Sequence, residues 1–238
     1  PRPAHGLLSV HPKSGEHLME LSPHDHFSVN RVVQGVKSPP LFFTPLYATQ
    51  LLDAQIRYRL WGTQLEELGR RRCYIEQAFA EEDRLGDHTL YLGIQIAEEN
   101  LVHTDRLRLA ILPERGELLP FLPEIQAFDA CEHPLVIQAQ NIPEASYEGH
   151  YVQDLKEHYC HYLYEIELRE SKASHSLTSL FPKLKEELHE LHDVASQLYW
   201  IRLEFPAVFT LDDMASMGVH LNTVPVINRR LIRKLHSL

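Results

Sequence analysis

Three short stretches of the sequence bring together residue types that can do chemistry. The stretch EHYCH sets Cys160 between two histidines, and a cysteine beside an imidazole is the pairing that generates a reactive thiolate. A free cysteine is, however, one of the residue types most often buried for packing alone. A structural role for Cys160 is therefore the favoured interpretation, and a thiol-dependent enzyme is the alternative.

The stretch HELHD offers ligands for a divalent metal, because His189 and His192 are three residues apart and Asp193 follows. Zinc-binding helices of metalloproteases place their histidines four residues apart, and this spacing does not match. The third stretch, SPHDHFS, has histidines on both sides of Asp25, but its proline favours a turn that Asp25 caps. Solvated positions are therefore favoured for both stretches, with a metal-dependent enzyme as the alternative.

Sequence motifs of the common nucleotide-binding and hydrolytic sites are absent from the sequence. It has no nucleophile elbow, P-loop or dinucleotide-binding fingerprint, and ten glycines are few for a phosphate site lined by main chain. The carboxylates of LDD, residues 211–213, have the pattern of a solvated turn. The sequence therefore predicts no catalytic residue, no metal ligand and no cofactor.

The composition of the 238-residue chain restricts its partners and its compartment. The formal net charge is −10, and basic residues cluster only at Arg70–Arg72 and Arg229–Lys234, so we expect no binding to nucleic acid or to acidic membranes. No apolar run approaches the ~20 residues that span a bilayer, so we expect no membrane insertion. Three widely spaced cysteines without a CxxC pair indicate a reducing compartment, and a cytoplasmic location is the expectation.

The domain organisation is predicted from the start of the sequence and from its irregular and proline-rich stretches. The sequence begins at Pro1 without an initiator methionine, which leads us to expect an internal fragment of a longer protein. Residues 1–37 are predicted to be an irregular N-terminal segment with one strand near Phe27–Val33. Residues 38–238 are predicted to form a mixed α+β region that can divide into two subdomains at the proline-rich stretch 113–146.

Hydrophobic periodicity predicts strands in several places. Alternating apolar residues over 90–96 and 107–111 predict two antiparallel strands with one wet face. The stretch YWIRLEFP predicts a third strand, and residues 147–170 predict a helix that passes into a strand near Tyr162.

Two leucine-containing stripes predict helices. The stronger stripe, over residues 177–198, predicts a long amphipathic helix with Pro182 in its first turn. A weaker stripe over residues 65–79 predicts a second helix, although Gly69 and three arginines disfavour it. The predicted fold class is therefore α+β: β-rich, with mainly antiparallel sheets and a few amphipathic helices.

The stretch HLNTVPVINRR has two asparagines, Asn222 and Asn228, on either side of Pro225. Asparagine side chains satisfy main-chain groups in Asx turns, and proline cannot donate to a strand ladder. We therefore predict a structural motif in a last strand, at a sheet edge or bulge. A local basic tail follows, and its arginines are candidates for an interface with an acidic neighbour: Arg229, Arg230 and Arg233.

The segment YWIRLEFPAVFTLDDMASMGVHLNTVPVINRR resembles part of the TssF (VasA/ImpG) family, which supplies a baseplate component of the bacterial type VI secretion system. The family has a strand rich in Trp and Leu that ends in Phe-Pro, then a strand reading Leu-Asn-x-x-Pro-Val-x-Asn. LFFTPLYATQLLDAQI is similar to a further strand of the family. The matching residues are Trp200, Leu203, Phe205, Pro206, Leu221, Asn222, Pro225, Val226 and Asn228.

The resemblance implies a structural role. Members of the family pair with TssG in a cytoplasmic baseplate wedge, contact TssK, TssE and the sheath, and take part in triggering sheath contraction. It implies that the chain catalyses no reaction, and that an isolated piece can self-associate through surfaces meant for neighbours. Besides the enzyme alternatives, a β-rich carbohydrate-binding module with exposed aromatics such as Trp61 stays open.

Overall fold

The computed structural model describes residues 3–12, 17–69, 72–144, 149–190 and 196–228. The strands are β1 (His5–Ser9), β2 (Leu18–Leu21), β3 (Phe27–Val33), β4 (Val36–Pro45), β5 (Thr49–Leu52), β6 (Ala54–Trp61), β7 (Gln64–Glu67), β8 (Cys73–Ile75), β9 (Thr89–Ile96), β10 (Arg106–Leu112), β11 (Gln126–Asp129), β12 (Pro134–Leu135), β13 (Ile137–Ala139), β14 (Leu163–Glu167), β15 (Ser174–His175), β16 (Leu198–Glu204), β17 (Gly218–Leu221) and β18 (Thr223–Ile227). The α-helices are α1 (Glu98–Leu101), α2 (His150–Cys160), α3 (Leu177–Leu180) and α4 (Leu211–Ser216), and 3₁₀ helices cover Glu81–Asp83, Gly116–Glu124 and Glu186–Glu190.

The predicted fold class is confirmed: the described chain is strand-rich, its sheets are mainly antiparallel, and its helices are few and short. Helix α2 followed by strand β14 also confirms the predicted change of structure near Tyr162. None of the helices in the described ranges has the length and apolar character needed to cross a membrane.

The chain divides into two compact units, each assembled from separate pieces of sequence. Unit 1 consists of residues 1–53, 141–161 and 222–238, and unit 2 consists of residues 54–140 and 162–221. The division differs from the one predicted at residues 113–146, because most of that proline-rich stretch belongs to unit 2. Its prolines lie largely in and around a 3₁₀ helix, Gly116–Glu124, that packs Leu118 and Leu122 into the core.

Unit 1 contains a four-stranded sheet in the order β1-β18-β4-β3 and a two-stranded ribbon of β2 and β5. The strand predicted near Phe27–Val33 is confirmed as β3. The prediction of an otherwise irregular N-terminal segment is wrong, because β1 and β2 also lie there. Strand β1 pairs with β18 from the far end of the sequence, with Leu7 opposite Pro225, and a five-residue strand with so distant a partner leaves little local signal.

Unit 2 contains an eight-stranded sheet and a four-stranded sheet. The first runs β12-β11-β16-β9-β6-β7-β8, with β15 also beside β16, and the second runs β13-β14-β10-β17. The strands predicted at 90–96 and 107–111 are confirmed as β9 and β10, but they do not pair with each other. Each lies between other strands of its own sheet. Most residues of both strands are buried, so neither strand has the one solvent-exposed face that we predicted.

Both helices predicted from leucine stripes are wrong. Helix α3 ends at Leu180, because Phe181 precedes a proline and takes a non-helical conformation with φ −119° and ψ 73°. Leu177 and Leu184 are nevertheless buried in one cluster, so the leucines reach the core from an irregular path. Strands β7 and β8 overlap the other stretch, residues 65–79, and the pairing of β7 with β6 and of β8 with β7 outweighs the weak helical pattern.

The predicted motif residue Trp200 forms the centre of the main core cluster of unit 2. Its ring stacks with Tyr58 at 6.3 Å and meets Phe181 edge-on at 5.3 Å, and its indole N–H donates to the His175 carbonyl at 2.9 Å. Opposite Trp200 in the ladder is Gly93, on the neighbouring strand β9. A Cβ on Gly93 would lie 2.7 Å from the indole ring, so this position accepts only glycine.

We expect Gly93→Ala to lower the free energy of unfolding by about 2 kcal/mol, because the added methyl must displace either the indole or a strand. Urea unfolding followed by tryptophan fluorescence measures the change. Gly116→Ala is the matched control, since no heavy atom lies within 4 Å of a Cβ built there, and its change should stay within about 0.5 kcal/mol. Equal losses in the two variants would contradict the packing explanation.

Candidate functional site

Asn222 joins two distant pieces of unit 1 through its side chain. The Leu52 N–H donates to Asn222 Oδ1 at 2.9 Å, and Asn222 Nδ2 donates to the Leu52 carbonyl at 2.8 Å, so the amide completes the main-chain pairing at the end of β5. The Asn222 carbonyl accepts from the Val10 N–H at 3.0 Å. The main-chain groups that the Asn222 side chain satisfies are therefore 170 residues away, whereas we predicted a local Asx turn.

The backbone of Asn222 also changes the course of the chain. Its φ is +52°, a left-handed conformation that asparagine adopts more readily than most side chains. The predicted single last strand is consequently two strands, β17 and β18, which belong to different sheets.

Pro225 lies in an interior strand, and the prediction of a sheet edge is wrong. Strand β18 has β1 on one side and β4 on the other. The Pro225 carbonyl accepts from the Leu46 N–H at 2.9 Å, just beyond the end of β4, and the ladder with β4 begins only at Val226. Both main-chain groups of a residue in an antiparallel strand face the same neighbour, so the nitrogen of Pro225, which has no hydrogen to donate, lies on the side of Leu46, where that ladder stops.

The rest of the predicted motif is also structural where it is described. The Asn228 N–H donates to the Ala4 carbonyl at 2.9 Å, and Asn228 is buried. Phe205 is buried against Phe209 at 5.0 Å, and the Pro206 carbonyl accepts from the Phe209 N–H at 3.0 Å. The predicted interface arginines lie outside the described residues: Arg229, Arg230 and Arg233.

We expect Asn222→Ala to destabilise the β5 junction by about 3 kcal/mol, because it leaves buried main-chain groups of Leu52 unpaired and puts alanine at a positive φ. Asn222→Gly removes the same hydrogen bonds without the backbone strain, so its loss should be about 1 kcal/mol smaller. Hydrogen exchange at the Leu52 amide measures both variants. Exchange at the wild-type rate in Asn222→Ala would show that the amide does not hold this junction.

An ion pair between exposed Arg115 and buried Asp213 anchors α4, in the stretch predicted as a solvated turn. Arg115 donates from Nε to Asp213 Oδ1 at 2.8 Å and from Nη2 to Oδ2 at 2.7 Å. The Thr210 N–H donates to the same carboxylate at 2.7 Å and completes a capping box. The hydrogen bonds from Arg115, followed by those from Thr210, lower the pKa of Asp213 to about 2. The solvated-turn interpretation is therefore wrong for Asp213, which is 4% exposed.

The depressed pKa of Asp213 predicts a specific pH dependence. The carboxylate stabilises the fold fully above its ordinary pKa of about 4, and this contribution is lost as the pH falls through about 2. Asp213→Asn should therefore lower the free energy of unfolding by about 2 kcal/mol at pH 7, with the deficit shrinking towards pH 2. Urea unfolding between pH 2 and 7 measures it, and exposed Asp212→Asn is the control. A deficit that does not change with pH would contradict the ion pair.

The two histidine stretches and Cys160 do not assemble a reactive site among the described residues. Asp25 accepts from the Ser22 N–H at 2.7 Å, which confirms the predicted capped turn. Burial, and then Glu157, raise the pKa of the Cys160 thiol, which donates to the Glu157 carbonyl at 3.0 Å. His189 Nε2 lies 3.3 Å from the Leu184 carbonyl, and His192 and Asp193 fall outside the described residues.

Trp61, the aromatic proposed for carbohydrate contact, is buried with 2% of its surface exposed. The guanidinium of Arg59 lies 5.5 Å above its ring and donates to the Met217 carbonyl at 2.6 Å. Trp61 therefore packs in the core and presents no face to a sugar.

Two concave sites in unit 2 are small. One, of about 170 Å³, lies beside Trp200 and Arg202, and the other, of about 370 Å³, lies beside Thr63 and Lys185. Ligand pockets for drug-sized molecules span about 300–1,000 Å³, so the first is below that range and the second is at its lower end.

The most exposed apolar feature of unit 1 is a hairpin arm, which we define as residues 28–37 of β3 and β4. Every residue of the arm is exposed, on both faces of the ribbon. Gln34 and Gly35 form its tip with φ values of +51° and +79°, the arrangement of a tight hairpin turn. Val32 is 64% exposed and Val36 is 68% exposed.

Periodicity did not identify one cluster of ligand-type side chains. Asp129, Cys131 and His133 alternate through the turn after β11, and their ligand atoms lie within 4.8 Å of one another. The signal in the sequence was the spacing D-x-C-x-H at the end of an apolar run, which differs from the helical and CxxC spacings of ligand residues.

No family model and no curated protein matches this sequence. The fold is similar to one chain of a solved structure described as the "type VI secretion system TssK-TssF-TssG baseplate subcomplex revealed by cryo-electron microscopy", with a TM-score of 0.48 and 12% sequence identity. The similarity covers 95% of this chain and 41% of that one, so this chain spans about two fifths of the length of its structural neighbour.

Proposed function

We propose that this chain is a TssF-like structural component of a type VI secretion baseplate wedge, which works in the cytoplasm by docking to other subunits and catalyses no reaction. One observation carries the proposal: the residues that resemble the TssF family lie in the core or hold strand junctions. Trp200 and Phe205 are core residues, and Asn222 and Pro225 hold strand junctions. A sequence resemblance that falls on buried junctions indicates a shared framework rather than shared chemistry.

The hairpin arm supplies a surface for docking. Strand β3 ends the order β1-β18-β4-β3, so no strand of the described residues covers its outer edge. An uncovered edge with exposed valines can accept a strand from another protein, whose main chain extends the sheet while its side chains cover the valines.

Charge indicates which kind of strand fits the arm. From His26 to Leu52 the sequence contains no Asp or Glu, while the arm carries Arg31 and Lys37 in a chain of net charge −10. Two copies of the arm side by side would bring like charges together, which disfavours self-association at this edge. We therefore assign the edge to a strand with acidic residues from a different subunit, and TssG is the partner that the family resemblance implies.

The geometry of the other candidate sites supports a role without catalysis. A catalytic cysteine needs a lowered thiol pKa, whereas burial raises that of Cys160. Contacts with TssK, TssE and the sheath, and a part in triggering sheath contraction, belong to the same proposal and follow from the family resemblance alone.

Co-expression with TssG and TssK of the same organism tests the proposal. We expect the wild-type chain to co-elute with TssG in size-exclusion chromatography. Val32→Asp with Val33→Asp should abolish co-elution, because both exposed valines lie on β3 and the substitutions put charge on the apolar edge that the partner strand covers. Val102→Asp is the matched control, since Val102 is equally exposed at 66% but lies in unit 2, and it should leave the complex intact.

Two outcomes would count against the proposal. A wild-type chain that elutes apart from TssG would exclude the baseplate assignment. A hairpin double variant that still co-elutes would leave the assignment standing but move the TssG contact away from the arm.

A further inference from the structure

We propose that Asp129, Cys131 and His133 form a binding site for a thiol-preferring divalent cation, with Zn²⁺ as the best match. The three residues occupy the turn that connects β11 to β12 in unit 2. Their ligand atoms, one from each side chain, all lie within 4.8 Å of one another. The site lies in a different unit from the hairpin arm, so it does not depend on the proposed docking function.

The main chain of the turn is held at both ends. The Asp129 N–H donates to the His133 carbonyl at 3.0 Å, and the Glu132 N–H donates back to the Asp129 carbonyl at 3.1 Å. Strand β11 is itself paired with β16 inside the eight-stranded sheet. Ligands carried by so fixed a turn keep their mutual distances without a metal, which lowers the entropy lost on binding.

Asp129 is oriented as a ligand by the turn. Its Oδ1 accepts from the N–H groups of Cys131 and His133, both at 2.9 Å, which leaves Oδ2 facing His133 Nδ1 at 3.1 Å. In a tetrahedral zinc site with bonds of about 2.0 Å, neighbouring oxygen and nitrogen ligands are about 3.3 Å apart. In this structure the carboxylate and the imidazole are joined by a hydrogen bond, and a shared ion would replace that bond with little change in their separation.

The Cys131 thiol completes the set with a small movement. Sulfur and nitrogen ligands of one zinc ion are about 3.6 Å apart, so the thiol needs to approach by about 1 Å at most, which a side-chain rotation provides. Cys131 and His133 are both exposed, so the ion has a path from solvent.

The ligand types select the class of metal. Thiolate sulfur and imidazole nitrogen favour zinc and similar ions, whereas Mg²⁺ and Ca²⁺ prefer sites made of oxygen. Glu132 does not supply a fourth ligand in this arrangement, because its carboxylate pairs with Arg202. The fourth position is therefore open to water or to a side chain from outside the turn.

Cobalt(II) replaces zinc as a spectroscopic probe in the experiment that tests this site. The full chain, reduced, metal-free and without a histidine tag, is titrated with Co²⁺. We expect one equivalent to produce the near-ultraviolet charge-transfer band of a cobalt–thiolate bond, and Zn²⁺ to remove the band. The band is essential as a readout, because a chain with sixteen histidines can bind cobalt through imidazoles alone.

Three variants locate the bound ion. Cys131→Ser should abolish the band, and His133→Ala should weaken cobalt binding about tenfold or more. Cys160→Ser is the matched control, because Cys160 also has histidines nearby in sequence, and it should keep both band and affinity. The thermal midpoints of Cys131→Ser and His133→Ala, measured without metal, should stay at the wild-type value because both substituted side chains are exposed.

Three results would overturn the site. The first is a wild-type chain that gives no cobalt–thiolate band, which would leave the turn as a main-chain cap made by Asp129. The second is a band that survives in Cys131→Ser, and the third is one that disappears in Cys160→Ser, since either would place the thiolate elsewhere.

Discussion

Unit 1 depends on a single constraint, the closure of its sheet by a strand from the other end of the sequence. Strand β18 lies between β1 and β4, so both early strands need it as a neighbour. Asn222, which begins this region, pairs through its amide with Leu52 and through its carbonyl with Val10. Without these long-range bonds, the N-terminal strands would present unpaired main-chain groups, and a short hairpin alone is barely stable in water.

The same dependence on distant partners characterises unit 2. Strand β16 pairs with β9 more than one hundred residues earlier, and its Trp200 ring fills the space that Gly93 leaves. The ion pair of Arg115 with Asp213 spans a similar separation and fixes α4 to the loop after β10. Folding must therefore close long loops before these contacts stabilise the chain, which is the expected behaviour of a protein dominated by non-local pairing.

Several polar residues that stand out in the sequence are used to hold the framework. Asn222, Asp213 and Asp25 each bind main chain, and Cys160 donates to a carbonyl. The features left for outside partners lie at the surface. One is the hairpin arm, whose apolar edge suits a strand of another subunit, and the other is the Asp129 turn, whose side chains suit a metal ion.

The sequence by itself determined the element types wherever the local pattern was strong. It predicted the strands β3, β9, β10 and β16 and the passage from α2 into β14, because alternation and helical spacing are local properties of side chains. It also identified Asn222 and Pro225 as structural residues. It failed for residues 177–198, where a leucine stripe indicated a helix that the proline after Phe181 prevents.

Only the tertiary structure decided which strands are neighbours, where Pro225 lies in its sheet and which groups Asn222 satisfies. These outcomes depend on segments up to 222 residues apart, as with β1 and β18, and no local pattern records such a partner. Tertiary structure also separated the exposed valines of the hairpin arm from the buried ones, and brought Asp129 and His133 within bonding distance. The physical reason is that burial and pairing are properties of two segments in contact, whereas a local sequence pattern describes only one segment.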